Sequence, residues 1–324
     1  MRDLHLTRRT MAAALLGMAA APPRAAQAAP PALPGLVAAD ARLVRVFGSG
    51  RWCEGPAWDR GAATGSLVFS DVRSDRLLRL AGDGDAVPLR DPAGNSNGNA
   101  FDAQGRLVTC EHRGRRVVRQ EPDGRLTVLA DRYLGRRLNA PNDLAIALDG
   151  AVWFTDPTFG LDQPDEGRQA PAEQPGRFVF RLDPAGSLAV VADSLEQPNG
   201  IAFSPDQGTL YVTDASGGPG KEGRHEIRAF DVSDGRRLGR ERVFATVEAG
   251  VVDGLAVDAS GRLFGATDQG ATVWAPDGRR LGCVPTPVTC ANLAFGGPDG
   301  RLLFLCCGSS IYRIETTTKG AAWA

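Results

Sequence analysis

The sequence predicts an all-β fold, a six-bladed β-propeller of four-stranded antiparallel blades, on three observations. A short segment that runs from polar to apolar recurs six times along the chain. Each copy is followed by an Asp/Gly-rich turn and further β-rich segments. Gly (40) and Pro (22) are abundant while aromatics make up only 6% of the 324 residues, a composition of many turns and few long helices.

The recurring segment reads Glu54-Gly55-Pro56-Ala57-Trp58, Asn97-Gly98-Asn99-Ala100-Phe101, Asn142-Asp143-Leu144-Ala145-Ile146, Asn199-Gly200-Ile201-Ala202-Phe203, Asp253-Gly254-Leu255-Ala256-Val257 and Ala291-Asn292-Leu293-Ala294-Phe295. The copies lie 43, 45, 57, 54 and 38 residues apart. The turns behind them, such as 102–105, 149–150 and 258–261, hold the residues that accept the positive φ of tight hairpins. Second strands follow at 67–70, 107–110, 152–155, 210–213, 263–267 and 302–306, then third strands, and in several copies a fourth, as at 126–130 and 188–192. Units of this size with four antiparallel strands are propeller blades, and six close a ring. The last copy runs out of chain after three strands, while residues 41–47 are an orphan strand. Those residues are expected to complete the sixth blade and remove its exposed edge. A β-sandwich would not produce six copies in one register.

Residues 1–28 read as an export signal rather than as fold. Arg8-Arg9 precede an apolar run over 11–21 that is too short to span a bilayer, Thr7-Arg8-Arg9-Thr10-Met11 has the twin-arginine pattern, and Ala26-Gln27-Ala28 is a small-x-small cleavage site. A periplasmic protein is therefore expected, with a flexible tether over 29–40 and a single propeller domain over 41–324. The formal net charge of -1 provides no basic footprint for nucleic acid or an anionic membrane. The six cysteines match no zinc spacing, so free thiols and bridges both stay open.

First strands of propeller blades line the central channel. The segment starts Glu54, Asn97, Asn142, Asn199, Asp253 and Ala291 are thus expected to form a ring near one mouth, five of them with side-chain oxygens. Asn and Asp also satisfy turn amides, and one such residue alone would carry no function. Two carboxylates crowded on a narrow axis repel and lose hydration unless a cation neutralises them. Carboxylate and amide oxygens without His or Cys suit one hard divalent cation, Ca2+ first, with Mg2+, Mn2+ or Zn2+ as alternatives, and would leave positions open for water and a small-molecule substrate. The two longest loops between second and third strands, 157–176 and 215–224, would overhang this mouth, where His112 ends a second strand. Asp156, Asp214 and Asp268 stand at equivalent strand ends and read as turn caps.

In this order and register, Glu54 to Trp58, Asn139-Ala140-Pro141-Asn142-Asp143 with Phe154-Thr155-Asp156-Pro157-Thr158-Phe159-Gly160, Pro198-Asn199-Gly200 and Asp253-Gly254 resemble the gluconolactonase, regucalcin (senescence marker protein) and luciferin-regenerating enzyme family, bacterial gluconolactonase-like members above all. The resemblance covers nearly all of 46–314. It implies a lactonase whose metal is held by Glu54, Asn199 and Asp253, with Asn142 touching the metal, its water or the substrate, and Asp253 also serving as the base that activates water. Asn97 and His112 are further substrate-binding candidates on the same mouth. Regucalcin-type members carry a sugar-contacting Arg two residues before the third-blade Asn. Here that place is Ala140, which implies different substrate contacts. A non-catalytic binding propeller with a structural Ca2+, and a propeller hydrolase of organophosphates or other esters, are the competing expectations.

Overall fold

Six four-stranded antiparallel sheets succeed one another along the chain, five in the simple order of a β-meander and the last completed by an N-terminal strand, in a computed structural model that describes residues 33, 35–38, 40–61, 65–81, 84–218, 222–248 and 250–323. Their innermost strands are Cys53–Asp59, Ser96–Phe101, Leu144–Ile146, Pro198–Phe203, Leu255–Val257 and Cys290–Gly296. We refer to the sheets as blades I to VI. Every blade has its fourth strand, including the two-sided hairpin Glu226–Ser233 with Arg237–Thr246 in blade IV. The expected export signal over 1–28 lies outside the described residues. No helix among the described residues is long and apolar enough to cross a membrane.

Blade VI closes the ring as the sequence predicts: Val44–Phe47 pairs antiparallel with Ser310–Glu315, joining the two ends of the chain in one sheet. Hydrophobic clusters sit between successive blades, built from inward-alternating residues such as Trp153 with Val212 and Phe230, or Phe264 with Leu293 and Leu305. The tether expected over 29–40 is corrected from Leu33 onward. Leu33, Leu36 and Val37 are buried in the core of blades V and VI, and Thr317 N–H donates to the Leu36 carbonyl at 2.8 Å. Three aliphatic side chains make this stretch a staple across the ring closure, since burying each is favourable by roughly 1.5–3 kcal/mol.

The inner strands are irregular at the same place in four blades. Pairing slips between Glu54 and Ala57, Ser96 and Asn99, Pro198 and Ile201, and Cys290 and Asn292, while in blades III and V regular pairing starts only after Asn142 and Asp253. A bulge turns the affected residue out of the pleat, here toward the axis. At that point neighbouring backbones nearly touch. Gly55, at φ +49, and Gly200 leave no room for a Cβ, which would overlap the carbonyls of Asn97 and Asp253 in the next blade.

A relay of hydrogen bonds fixes each segment start from the blade before it. Ser70 Oγ donates to the Asn97 carbonyl at 2.7 Å, Gly98 N–H to Asn142 at 2.7 Å, Thr155 Oγ1 to Asn199 at 2.7 Å, Thr213 Oγ1 to Asp253 at 2.9 Å and Gly254 N–H to Ala291 at 2.9 Å. Thr213 also accepts from Gly200 N–H at 2.7 Å. Thr213→Val keeps the shape and loses both bonds, leaving a buried N–H and carbonyl unsatisfied at about 1–3 kcal/mol each. Its melting temperature is expected to fall by several degrees, and an unchanged value in differential scanning calorimetry would remove the relay from the account.

Acidic residues at the ends of second strands cap the loops that lead into the ring. Asp156 accepts from Asn139 N–H at 2.8 Å, and Asp214 from Glu196, Gln197 and Ser216 N–H at 2.8, 3.1 and 3.1 Å. Asp71 plays the same part for Arg51 and Trp52 N–H. Asp268 differs: it stands beyond its strand and is exposed.

Candidate active site at the channel mouth

The six segment starts occupy matching places at or just before the inner strands, with Asn97 and Asn142 meeting at His112 and the charge of Asp253 acting on Glu54. Glu54, Asn97, Asn142 and Asn199 are buried, Asp253 keeps partial contact with solvent, and Ala291 closes the circle without a polar group. The Asn199 side chain lies near enough to the Asp253 carboxylate to favour its charged form. Burial first, then the charge of Asp253 and that of Asp143, holds the Glu54 carboxyl well above the usual carboxylate range. Asp253 is pushed up to about 8 by burial, then by the charges of Asp143 and Glu166. No cationic side chain is among the largest influences on either carboxylate. Among the described residues no three His, Cys, Asp or Glu side chains are placed to hold a metal ion by themselves, so a cation at the ring would need amide oxygens beside the two carboxylates.

His112 lies at the same mouth and is fully buried. Its Nδ1 stands 3.0 Å from the Glu166 carbonyl, which can only accept, so Nδ1 carries the proton and Nε2 presents a lone pair. Burial lowers the imidazole's proton affinity and favours this neutral form. Nε2 lies 3.4 Å from the side-chain amides of both Asn97 and Asn142. With both amide NH2 groups turned to His112, their carbonyl oxygens are free for other partners; Asn97 Oδ1 is buried without any hydrogen-bond partner. The sequence-predicted candidates therefore form two adjoining groups: Glu54, Asn199 and Asp253 on one side, and Asn97, His112 and Asn142 on the other.

Three further residues join them. Glu166 comes from the long 157–176 loop, where Arg73 Nη2 holds its carboxylate at 2.7 Å and its charge reaches Glu54 and Asp253. The short helix Phe159–Asp162 in that loop lies against His112, at a point where a Cβ on Gly160 would overlap the His112 side chain. The loop's place above this mouth follows from its position between second and third strands; the contact made by Glu166 does not. Asp143 and Asn292 occupy the place just after the segment start, which is Gly in the other four blades. That exception is the signal by which they are found. The Asn292 side chain favours the charged forms of both Glu54 and Asp143, while burial, the larger effect, raises the Asp143 carboxyl to about 6. Ala140, in the place of the sugar-contacting Arg of regucalcin-type members, is fully buried. The 215–224 loop is described only in part.

Fold and ring together define a closed six-bladed propeller with a cluster of largely buried polar side chains at the starts of its inner strands. The chain belongs to the SMP-30/Gluconolactonase/LRE-like family, whose model matches residues 52–309. It is 32% identical over 293 residues to a gluconolactonase of Zymomonas mobilis, covering 83% of this chain and 80% of that protein. A solved gluconolactonase structure from Xanthomonas campestris is 44% identical, with a TM-score of 0.79 over 86% of this chain and 90% of that one. The calcium-binding protein regucalcin from Agrobacterium tumefaciens, 20% identical, has a TM-score of 0.68 over 85% of this chain and 94% of that one, and is a likeness of fold alone.

Proposed function

We propose that this chain is a lactonase, hydrolysing a sugar lactone or related cyclic ester at the channel mouth, with one divalent cation held by Glu54, Asn199 and Asp253 and neighboured by Asn142. The observation that carries the reading is the pair of carboxylates, Glu54 and Asp253, drawn from opposite halves of the chain to one place where burial and neighbouring negative charge raise the proton affinity of both. A cation there would relieve both their repulsion and their lost hydration. Carboxylate and amide oxygens without thiolate or imidazole suit Ca2+ best.

When bound, the cation supplies a Lewis acid for the lactone carbonyl and the oxyanion that grows from it. The chain's own residues do the rest. Asp253, the most solvent-accessible of the polar ring residues and oriented by Asn199, takes a proton from the water whose oxygen adds to the carbonyl carbon. Burial raises the proton affinity of this carboxylate and a bound cation would lower it, so the two effects oppose one another. The ring C–O bond then breaks, the departing oxygen takes a proton, and an open hydroxy acid results. His112 Nε2 fixes the direction of the Asn97 and Asn142 amides, whose carbonyl oxygens are then turned away from it and accept from a substrate hydroxyl.

A panel of aldonolactones, assayed with and without a chelator, tests this reading. Chelator-sensitive hydrolysis restored by added Ca2+ is expected. Binding of a ligand without turnover on any lactone or ester would favour the non-catalytic propeller, and turnover confined to organophosphates would move the substrate class. We further propose export to the periplasm by residues 1–28. A mature N-terminus at Ala29, read by mass spectrometry of the periplasmic fraction, is the expected result, and an intact Met1 in the cytoplasm would contradict it.

A further inference from the structure

The turn between the second and third strands of blade II, residues 112–115, serves two places. His112 belongs to the channel mouth. Arg113 and Arg115 instead line a separate cavity of about 670 Å³, together with Arg137, Arg168 and the backbone of residues 167–171. Four guanidinium groups meet only two carboxylates there: Asp75 lies 3.7 Å from Arg113 and Glu173 lies 3.2 Å from Arg115. Arg137 Nη2 donates to the neutral Gly114 carbonyl at 3.1 Å, and Arg168 is exposed with no side-chain partner among the described residues.

Arg115 is the informative member. It is 6% exposed and sits at φ +53, in the left-handed region that an Arg side chain does not favour. The matching place in blade I holds Asp75, at φ 55, a residue type that tolerates this conformation more readily. Arg115 Nε donates to the Leu138 and Asn139 carbonyls at 2.7 and 3.1 Å, which fixes the plane of the guanidinium, and Nη1 meets Glu173. Nη2 is buried and has no hydrogen-bond partner. A buried guanidinium N–H left without an acceptor is costly, and the fork of a fixed Arg matches two oxygens of one oxyanion.

We propose that this cavity is an anion site, built for the carboxylate, phosphate or sulfonate group of a small molecule, with Arg115 as its fixed donor and Arg113, Arg137 and Arg168 as the surrounding charge. It goes beyond the lactonase reading and does not depend on it. It adjoins the channel mouth through the chain itself: Arg113 follows His112, and Gly167 follows Glu166, whose carbonyl holds the His112 ring. An anion bound across these two segments draws together the turn and the loop that position the imidazole.

Inorganic sulfate is the probe, titrated by calorimetry into the full, metal-loaded chain and into the R168Q and R113Q/R168Q variants, whose side chains touch none of the ring residues. Saturable sulfate binding, weakened at least about tenfold in the double variant while hydrolysis of a neutral lactone and the melting temperature are unchanged, is the expected result. A lactone carrying a phosphate group away from its ring ester then separates the two sources of the anion. A KM raised in the double variant, with sulfate competing, assigns the site to the substrate's own acidic group; sulfate binding without competition assigns it to a free anion. No sulfate binding, or binding of equal strength in the parent and the double variant, overturns the proposal, and because turnover is not needed for that measurement, its failure leaves the lactonase reading standing.

Discussion

Asp253→Asn is expected to lower lactone hydrolysis by about 10³-fold or more, with a smaller change in KM. The substitution keeps the size of the side chain and its place beside Asn199 but removes the group proposed to take the proton from water, and general-base catalysis alone is worth about 10²–10⁴-fold. It also removes one of the two negative charges proposed to hold the cation, which is why the loss should exceed the lower end of that range. Because a carboxamide no longer repels Glu54, the variant should fold at least as stably as the parent when no cation is present. A variant that is as active as the parent would transfer the base role elsewhere, with Glu166 the next carboxylate at the mouth.

Glu54→Gln is the second large effect, and it is read without any substrate. Losing a charged ligand should weaken cation binding by more than the roughly 10–100-fold that loss of an outer hydrogen-bond partner costs. The pH dependence of stability supplies an independent sign. In the cation-free protein Glu54, Asp143 and Asp253 all have folded-state proton affinities raised above their ordinary values, mainly by burial. The folded chain then binds more protons than the unfolded chain between the ordinary carboxylate range and about pH 8, so stability should fall as pH rises through that window. Saturating cation should reverse the trend, since it binds only the folded, deprotonated ring. Thermal melts of chelator-treated protein at pH 5 and pH 8 check this. Glu54→Gln should flatten the apo slope and abolish the stabilisation by cation. An apo protein more stable at pH 8 than at pH 5 would mean that the carboxylates are already balanced by groups of the chain itself.

The ring was legible because it repeats. Positions 54, 97, 142, 199, 253 and 291 share a register set by hydrophobic alternation and turn chemistry, and a propeller converts a shared register into a shared place on the axis. What the repeats do not contain was harder to read. Glu166 reaches the mouth from a loop with no counterpart in other blades, and its placement depends on Arg73, 93 residues earlier in the chain. Ser70, Thr155 and Thr213 look like ordinary strand residues, and their role appears only when each is seen reaching into the next blade. Leu33, Leu36 and Val37 follow a Pro/Ala-rich stretch whose composition suggests mobility, while their own side chains favour burial. The arginine cavity joins a turn of blade II to a loop of blade III, two segments with no common pattern.

Elemental analysis of the purified chain, repeated on Glu54→Gln, tests the central claim most directly. The account predicts about one divalent cation per parent chain, removed by chelation together with the activity, and none retained by the variant. A parent chain that hydrolyses lactones at full rate after exhaustive removal of metal would contradict it.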